Sequence, residues 1–176
     1  MKRIVALFIL LLAGCTKTAT SSGIPNLAEV EPGLWRSGQP TTQAEWQWLK
    51  DRGVRHVVKL NFDGEGTDDG ARALGLDVHE LSIQPEGDLD WFDDLTHTFV
   101  KPDPQRLNDA LVVITAGGGV LVHCTHGQDR TGLVVGLHRV LHEHWTKARA
   151  YQEMLARGFH PELHGLHEFW ESERGD

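Results

Sequence analysis

Cysteine is nearly absent from this 176-residue chain: Cys15 and Cys124 are the only two, too few for a disulfide framework. Basic residues are scarce as well. Seventeen Lys and Arg face 25 Asp and Glu, a formal net charge of −8, which excludes polyanion binding through a broadly basic surface and argues against a nucleic-acid partner. No glycine-rich dinucleotide or nucleoside-triphosphate pattern occurs, so no nucleotide cofactor is expected. No internal repeat occurs either. The longest apolar run, Ile4 to Ala13, is too short for a stable bilayer span. What remains is a composition 40% hydrophobic and 24% charged, which suits one compact domain with a genuine core.

The first residues place Lys2 and Arg3 before that apolar run and a small residue before Cys15, the order of a secretory signal. "LAGC", Leu12 to Cys15, resembles a bacterial lipobox, in which the cysteine is lipidated and becomes the new N-terminus. The expected organisation is a lipoprotein signal over 1–14, a flexible tether over 15–26 and one domain over 27–176. An exported protein held by its lipid at a membrane of the cell envelope follows. With Cys15 lipidated, Cys124 has no partner for a disulfide within the chain.

Alternating signals point to an α/β fold. "LAEVEPGLWRSGQP" reads as a short strand or hairpin. Thr42 with Glu45 three residues on is a capping box, and Gly53 stops the helix it opens. "VRHVVKLNF" reads as a strand, 63–70 as a loop, and "ARALGLDVHELSI" as a short helix followed by a strand. Asp103-Pro104 starts a helix that Gly117 to Gly119 end. "VLVHC", 120–124, is a continuous apolar run of the kind buried in a parallel sheet. Helices are expected from Thr131 to about His144, from Thr146 to Gly158 and from Pro161 to Glu173.

Between the last strand and the next helix lies "CTHGQDR": Cys124, Thr125, His126, Gly127, Gln128, Asp129 and Arg130. A turn of this length faces successive amides inward, and the helix N-terminus adds positive charge, so the loop is an anion cradle of phosphate size. Arg130 at its end holds two oxygens bidentately. Gly127 removes a Cβ clash, and Gly132 is expected to let the helix pack close to the sheet. The same field favours the thiolate of Cys124, a nucleophile seated under a bound phosphoryl group. Attack on phosphorus gives a cysteinyl-phosphate that water hydrolyses. Thr131 is placed to stabilise the departing thiolate, and His123 to fix the loop from behind.

"HCTHGQDRTG", with "VLVH" before it and "TGLVV" after it, resembles the signature of the protein tyrosine phosphatase superfamily: His-Cys, five residues, Arg, Ser/Thr. "GLWRSGQPT" and "EMLARGFHPEL" resemble small bacterial members of its dual-specificity and phytase-like branches, and the likeness runs from about residue 27 to the C-terminus. The resemblance implies a single α/β domain with a central, mainly parallel sheet flanked by helices. It also implies a general acid, an aspartate on a loop some thirty residues before the cysteine. The stretch "EGDLDWFDDLTHTFVKPDP" offers Asp88, Asp90, Asp93, Asp94 and Asp103, and Asp94, 30 residues before Cys124, has the best spacing. Asp129 is the second candidate, because an aspartate directly before the loop arginine resembles phosphoinositide phosphatases of the myotubularin and Sac types.

The "GQDR" loop, the small size and the export signal together favour a phosphorylated small molecule of the inositol polyphosphate kind. A phosphopeptide is the alternative, and a phosphate-binding module without catalysis is a third. A multiply phosphorylated ring needs cations, so Arg36, Lys59, Lys101 and His126 are candidates to surround it. Eleven histidines raise the question of metal: His138 with His142, and His160, His164 and His167, recur at helical spacing, but no third ligand emerges and no metal is expected. Trp35, Trp46, Trp48 and Trp91 are read as packed aromatics.

Overall fold

In a computed structural model the structure describes residues 23–84 and 101–173. The expected signal, Cys15, most of the tether, and Asp88, Asp90, Trp91, Asp93 and Asp94 lie outside the described residues. Five strands form one sheet: β1 (Ala28–Glu31), β2 (Leu34–Ser37), β3 (His56–Lys59), β4 (Asp77–Glu80) and β5 (Val120–His123), in the order β1-β2-β5-β3-β4. Only β1 is antiparallel to its neighbour; β2, β5, β3 and β4 run parallel. The mainly parallel α/β sheet expected from the sequence is therefore present. All four residues of β5 are buried because it lies between β2 and β3 with both faces covered, which is why its sequence is apolar without alternation.

One face packs on α3 (Pro104–Ala116), α4 (Asp129–Leu141), α5 (Lys147–Ala156) and α6 (His164–Ser172), through a core that includes Val122, Leu111, Leu133, Met154 and Trp170. The other face packs on α1 (Gln43–Asp51) and α2 (Asp69–Ala73) through Trp46, Leu49, Val57, Ala71 and Leu121. Each fully buried aliphatic side chain contributes about 1.5–3 kcal/mol by leaving water. The capping box of α1 is complete, with Thr42 accepting from Glu45 and Glu45 reaching back, and Asp103 caps α3 through the Gln105 amide at 2.9 Å.

Three expectations need correcting. The stretch 63–70 is not simply a loop: it holds a 3-10 turn, Asp63–Glu65, and the start of α2. The helix after the cysteine loop begins at Asp129, two residues before Thr131, because the Gly132 amide already reaches back to the Gln128 carbonyl at 2.8 Å. The close helix–sheet approach expected at Gly132 is not found, and the tight glycine on α4 is Gly136, which faces α5 and α6 and not the sheet. A Cβ on Gly132 would lie 3.6 Å from Phe159, an ordinary contact, whereas one on Gly136 would come within 2.7 Å of the Met154 sulfur.

Candidate active site

In an open parallel sheet the loops leaving the C-terminal strand ends converge at one edge. Here those of β2, β3 and β5 bring together Ser37 to Gln39, Asn61 to Asp68 and the segment Cys124 to Arg130. The loop from Cys124 is shaped by donors outside it. Gln39 N–H donates to the Thr125 carbonyl at 3.1 Å, Asn26 Nδ2 to the His126 carbonyl at 2.9 Å, and Arg36 Nη2 to the Gly127 carbonyl at 2.8 Å. With three successive carbonyls held from outside, the amides of Thr125, His126 and Gln128 donate to nothing among the described residues. The Gly127 amide donates to Cys124 Sγ at 3.3 Å. Gly127 has φ +73°, and a Cβ there would lie 2.4 Å from the backbone of both Ser37 and Gly38, so only glycine fits.

Cys124 is a free, buried thiol at the end of β5, and α4 starts five residues later. Arg130, in the first turn of α4, is fixed by a residue the sequence reading did not single out. Glu65, on the 3-10 turn after β3, accepts from Arg130 Nη2 at 2.6 Å and from Nη1 at 2.8 Å, a bidentate pair. Thr125 Oγ1 closes a triangle, accepting from Arg130 Nη2 at 3.0 Å and donating to Glu65 at 2.8 Å. The hydrogen bonds from Arg130, supported by the Phe62 amide and the Thr125 hydroxyl, hold the Glu65 carboxyl down at about 2 against desolvation. Burial by itself would lower the Arg130 pKa, but Glu65 and the Cys124 sulfur raise it overall, so its charge is secure. Both terminal nitrogens of Arg130 are engaged, so the two-oxygen fork expected for phosphate is closed on Glu65, and only Nε is without a partner among the described residues and open to an anion.

Behind the loop, His123 Nε2 meets Asp68 Oδ2 at 2.9 Å with both side chains buried, and the Trp46 ring stands edge-on to the imidazole at 6.0 Å. Gln39 Nε2 donates to Asp68 at 2.8 Å and Asn61 Nδ2 to Gln39 Oε1 at 2.9 Å. Burial would raise the Asp68 pKa, but His123, Gln39 and Lys59 outweigh it and keep the carboxyl below its ordinary value. This network ties the ends of β2, β3 and β5 together under the cysteine. It gives His123 the supporting position the sequence suggested.

Arg36 and Lys59 do not encircle a ligand as expected. Both are only 1% exposed: Arg36 lies beneath the loop on Gly127, and Lys59 pairs with Asp63. Burial, with Arg157 adding repulsion, lowers the Arg36 pKa to about 10, still cationic at neutral pH. Lys101 sits 3.7 Å from Glu168 on the surface, and His126 is exposed. Asp129 is engaged by His160, accepting from its amide at 2.8 Å and facing its Nδ1 at 3.0 Å. Thr131 is fully buried, and its hydroxyl has no hydrogen-bond partner among the described residues. The expected histidine pairs are occupied otherwise: His138 stacks on His142 and contacts Glu31 at 3.0 Å, and His167 lies 3.2 Å from the Tyr151 hydroxyl.

One local signal marks Glu65, an acid in the glycine-rich loop that follows the strand signal of 54–62. Its distance from Arg130, 65 residues along the chain, hid the pairing.

A model of the tyrosine phosphatase family matches residues 23–143. The chain is 31% identical over 137 residues to the dual specificity protein phosphatase TpbA of Pseudomonas aeruginosa, covering 76% of this chain and 55% of that protein. It is 30% identical over 135 residues to the inositol diphosphatase DSP2 of Oryza sativa subsp. japonica, covering 73% of this chain and 59% of that protein. The chain thus spans little more than half the length of these relatives. The crystal structure of P. aeruginosa TpbA matches with a TM-score of 0.67 at 23% identity over 89% of each chain, a likeness of fold.

Proposed function

The chain belongs to the tyrosine phosphatase family, and on that premise we propose that it hydrolyses phosphomonoesters through a cysteinyl-phosphate on Cys124. One observation carries the reading: the Cys124 sulfur lies on the Gly127 amide at 3.3 Å, on the floor of a loop whose arginine is already aligned by Glu65. The free loop amides and Arg130 bind the equatorial oxygens, so the phosphorus sits over the sulfur for in-line attack. The S–P bond forms as the ester P–O bond breaks, and the leaving oxygen takes a proton from an aspartic acid. Water then attacks phosphorus, the aspartate takes its proton, and the thiolate departs from phosphate. The buried, unpaired Thr131 hydroxyl suits a donor to that sulfur.

For the acid, the engagement of Asp129 with His160 supports Asp94. In the pH–rate profile a general acid governs the fall at higher pH. Asp94→Asn is expected to remove that limb and slow turnover by at least about tenfold, with Asp129→Asn keeping it; the reverse pattern assigns Asp129.

The proposed substrates are inositol polyphosphates, supported by the "GQDR" loop and by the likeness to an inositol diphosphatase. A phosphoprotein is the second reading, because TpbA is named a dual specificity protein phosphatase and has been solved in complex with pTyr. Turnover of inositol hexakisphosphate and of a phosphotyrosine peptide, side by side, separates them: the first is expected to be the better substrate by kcat/KM, and preference for the peptide reverses the ranking. The proposed setting is the cell envelope, with residues 1–14 as signal and Cys15 as lipid anchor. Metabolic labelling with a fatty-acid analogue is expected to mark the parent and not Cys15→Ser.

A further inference from the structure

We propose that His56, Asp77 and His79 form a site for one divalent transition-metal ion of the Zn²⁺ type, at the end of the sheet opposite Cys124. His56 opens β3, and its register partner on the parallel strand β4 is Asp77. His79, two residues further along β4, lies on the same face as Asp77. The two imidazoles converge on one oxygen: His56 Nδ1 is 3.4 Å and His79 Nε2 3.2 Å from Asp77 Oδ2, and the three ligand atoms lie within 4.8 Å of one another.

Neither contact has the geometry of a hydrogen bond. His79 Nε2 is buried and without a hydrogen-bond partner among the described residues, although the carboxylate oxygen is so close. An inaccessible ring nitrogen left unpaired beside a carboxylate is unfavourable, and a shared cation removes the conflict. The spacing suits one, since tetrahedral zinc with bonds of about 2.0–2.1 Å has ligand–ligand edges of about 3.4 Å. Two imidazoles and one carboxylate select Zn²⁺ or its Ni²⁺ and Co²⁺ neighbours over Mg²⁺ and Ca²⁺, which prefer all-oxygen shells. The side chains are 38%, 62% and 32% exposed, so the cluster lies at the surface and a fourth position can be taken by water.

A second cluster differs in its charge balance. Glu31, His138 and Glu143 also gather, but Arg139 Nη1 bonds both oxygens of Glu143, at 2.6 and 2.8 Å, so a guanidinium already supplies the positive charge. No Lys or Arg pairs with Asp77 among the described residues. A bound ion would clip the edge strand β4 to β3, remote from the thiol, so its effect falls on stability and not on turnover.

The test is calorimetric titration of ZnCl2 into the full chain carrying Cys15→Ser and Cys124→Ser, which removes both thiols as competing ligands, with Co²⁺ absorption as a second readout. One ion per chain and a Zn²⁺-dependent rise in Tm are expected. His79→Ala and His56→Gln should each weaken binding at least about tenfold and abolish that rise, while His138→Ala leaves both intact. His56→Gln keeps a polar group at a partly exposed position, so it reports even where His79→Ala fails to fold. Absence of saturable binding, or binding that survives the His56 and His79 substitutions, overturns the proposal.

Discussion

The two ends of the parallel strands handle charge in opposite ways. At the C-terminal end, Arg130 is locked to Glu65, Asp68 to His123 and Gln39, and Arg36 to the Gly127 carbonyl. At the N-terminal end, His56, Asp77 and His79 crowd together with no Lys or Arg paired to Asp77 among the described residues. The loops after β2, β3 and β5 converge at the first end, so Arg130, Asp68 and Arg36 each find a partner from another segment, and α4 adds the field of its N-terminus. At the second end the three side chains come from paired strands, and the neighbouring loop offers His56 only a backbone carbonyl, that of Gly119, to its amide. Rigidity there has to come from elsewhere, while the cysteine loop is preorganised before any substrate arrives.

Substitutions at the first end should damage chemistry, and those at the second should not. The largest effect is expected from Cys124→Ser, a loss of turnover of at least about 10³-fold with the melting temperature little changed. Retention of parental turnover would erase the distinction between the ends. Arg130→Lys follows: it replaces a fork by a point charge and should cost about 10²–10³-fold in kcat, and it also breaks the Glu65 pair. Gly127→Ala acts on the fold itself. Its Cβ meets the Ser37 and Gly38 backbone at 2.4 Å in a left-handed conformation, so a loss of more than about 1 kcal/mol should appear as a lower urea midpoint.

A subtler effect concerns acid. The folded-state pKa of Glu65, about 2, lies below its ordinary 4.5, so the pair contributes stability that is complete above pH 4.5 and disappears as pH falls through 2. Unfolding titrations on Glu65→Gln should show a shallower decline across that window than the parent, and an identical decline would remove Glu65 from the account. The smallest effect is expected from His79→Ala, with kcat/KM changing less than about twofold because it lies beyond the coupling range of the thiol loop.

What the sequence disclosed follows chain distance. Cys124, Gly127 and Arg130 fall within one turn, and a strand-to-helix junction fixes their geometry locally, so spacing alone described the cradle. The capping box of Thr42 and Glu45 was legible for the same reason. The groups that hold the cradle come from afar: Glu65 lies 65 residues from Arg130, Asp68 lies 55 from His123, and Arg36 lies 91 from Gly127. Charge alone makes Arg36 and Lys59 candidates for an exposed basic surface around phosphate, and they are instead buried under the loop or beside Asp63. The contact of Asp129 with His160, 31 residues later, is equally non-local. The juxtaposition of His56, Asp77 and His79 depends on strand register, which no local pattern specifies.

The most direct test of the account is rapid acid quenching during turnover, followed by intact-mass and peptide mass spectrometry. One added phosphoryl group on the peptide that contains Cys124, absent from Cys124→Ser and accumulating at the rate of the first chemical step, is the predicted result. Turnover at the parental rate with no phosphorylated Cys124 peptide, or with the phosphoryl group on another residue, would contradict it.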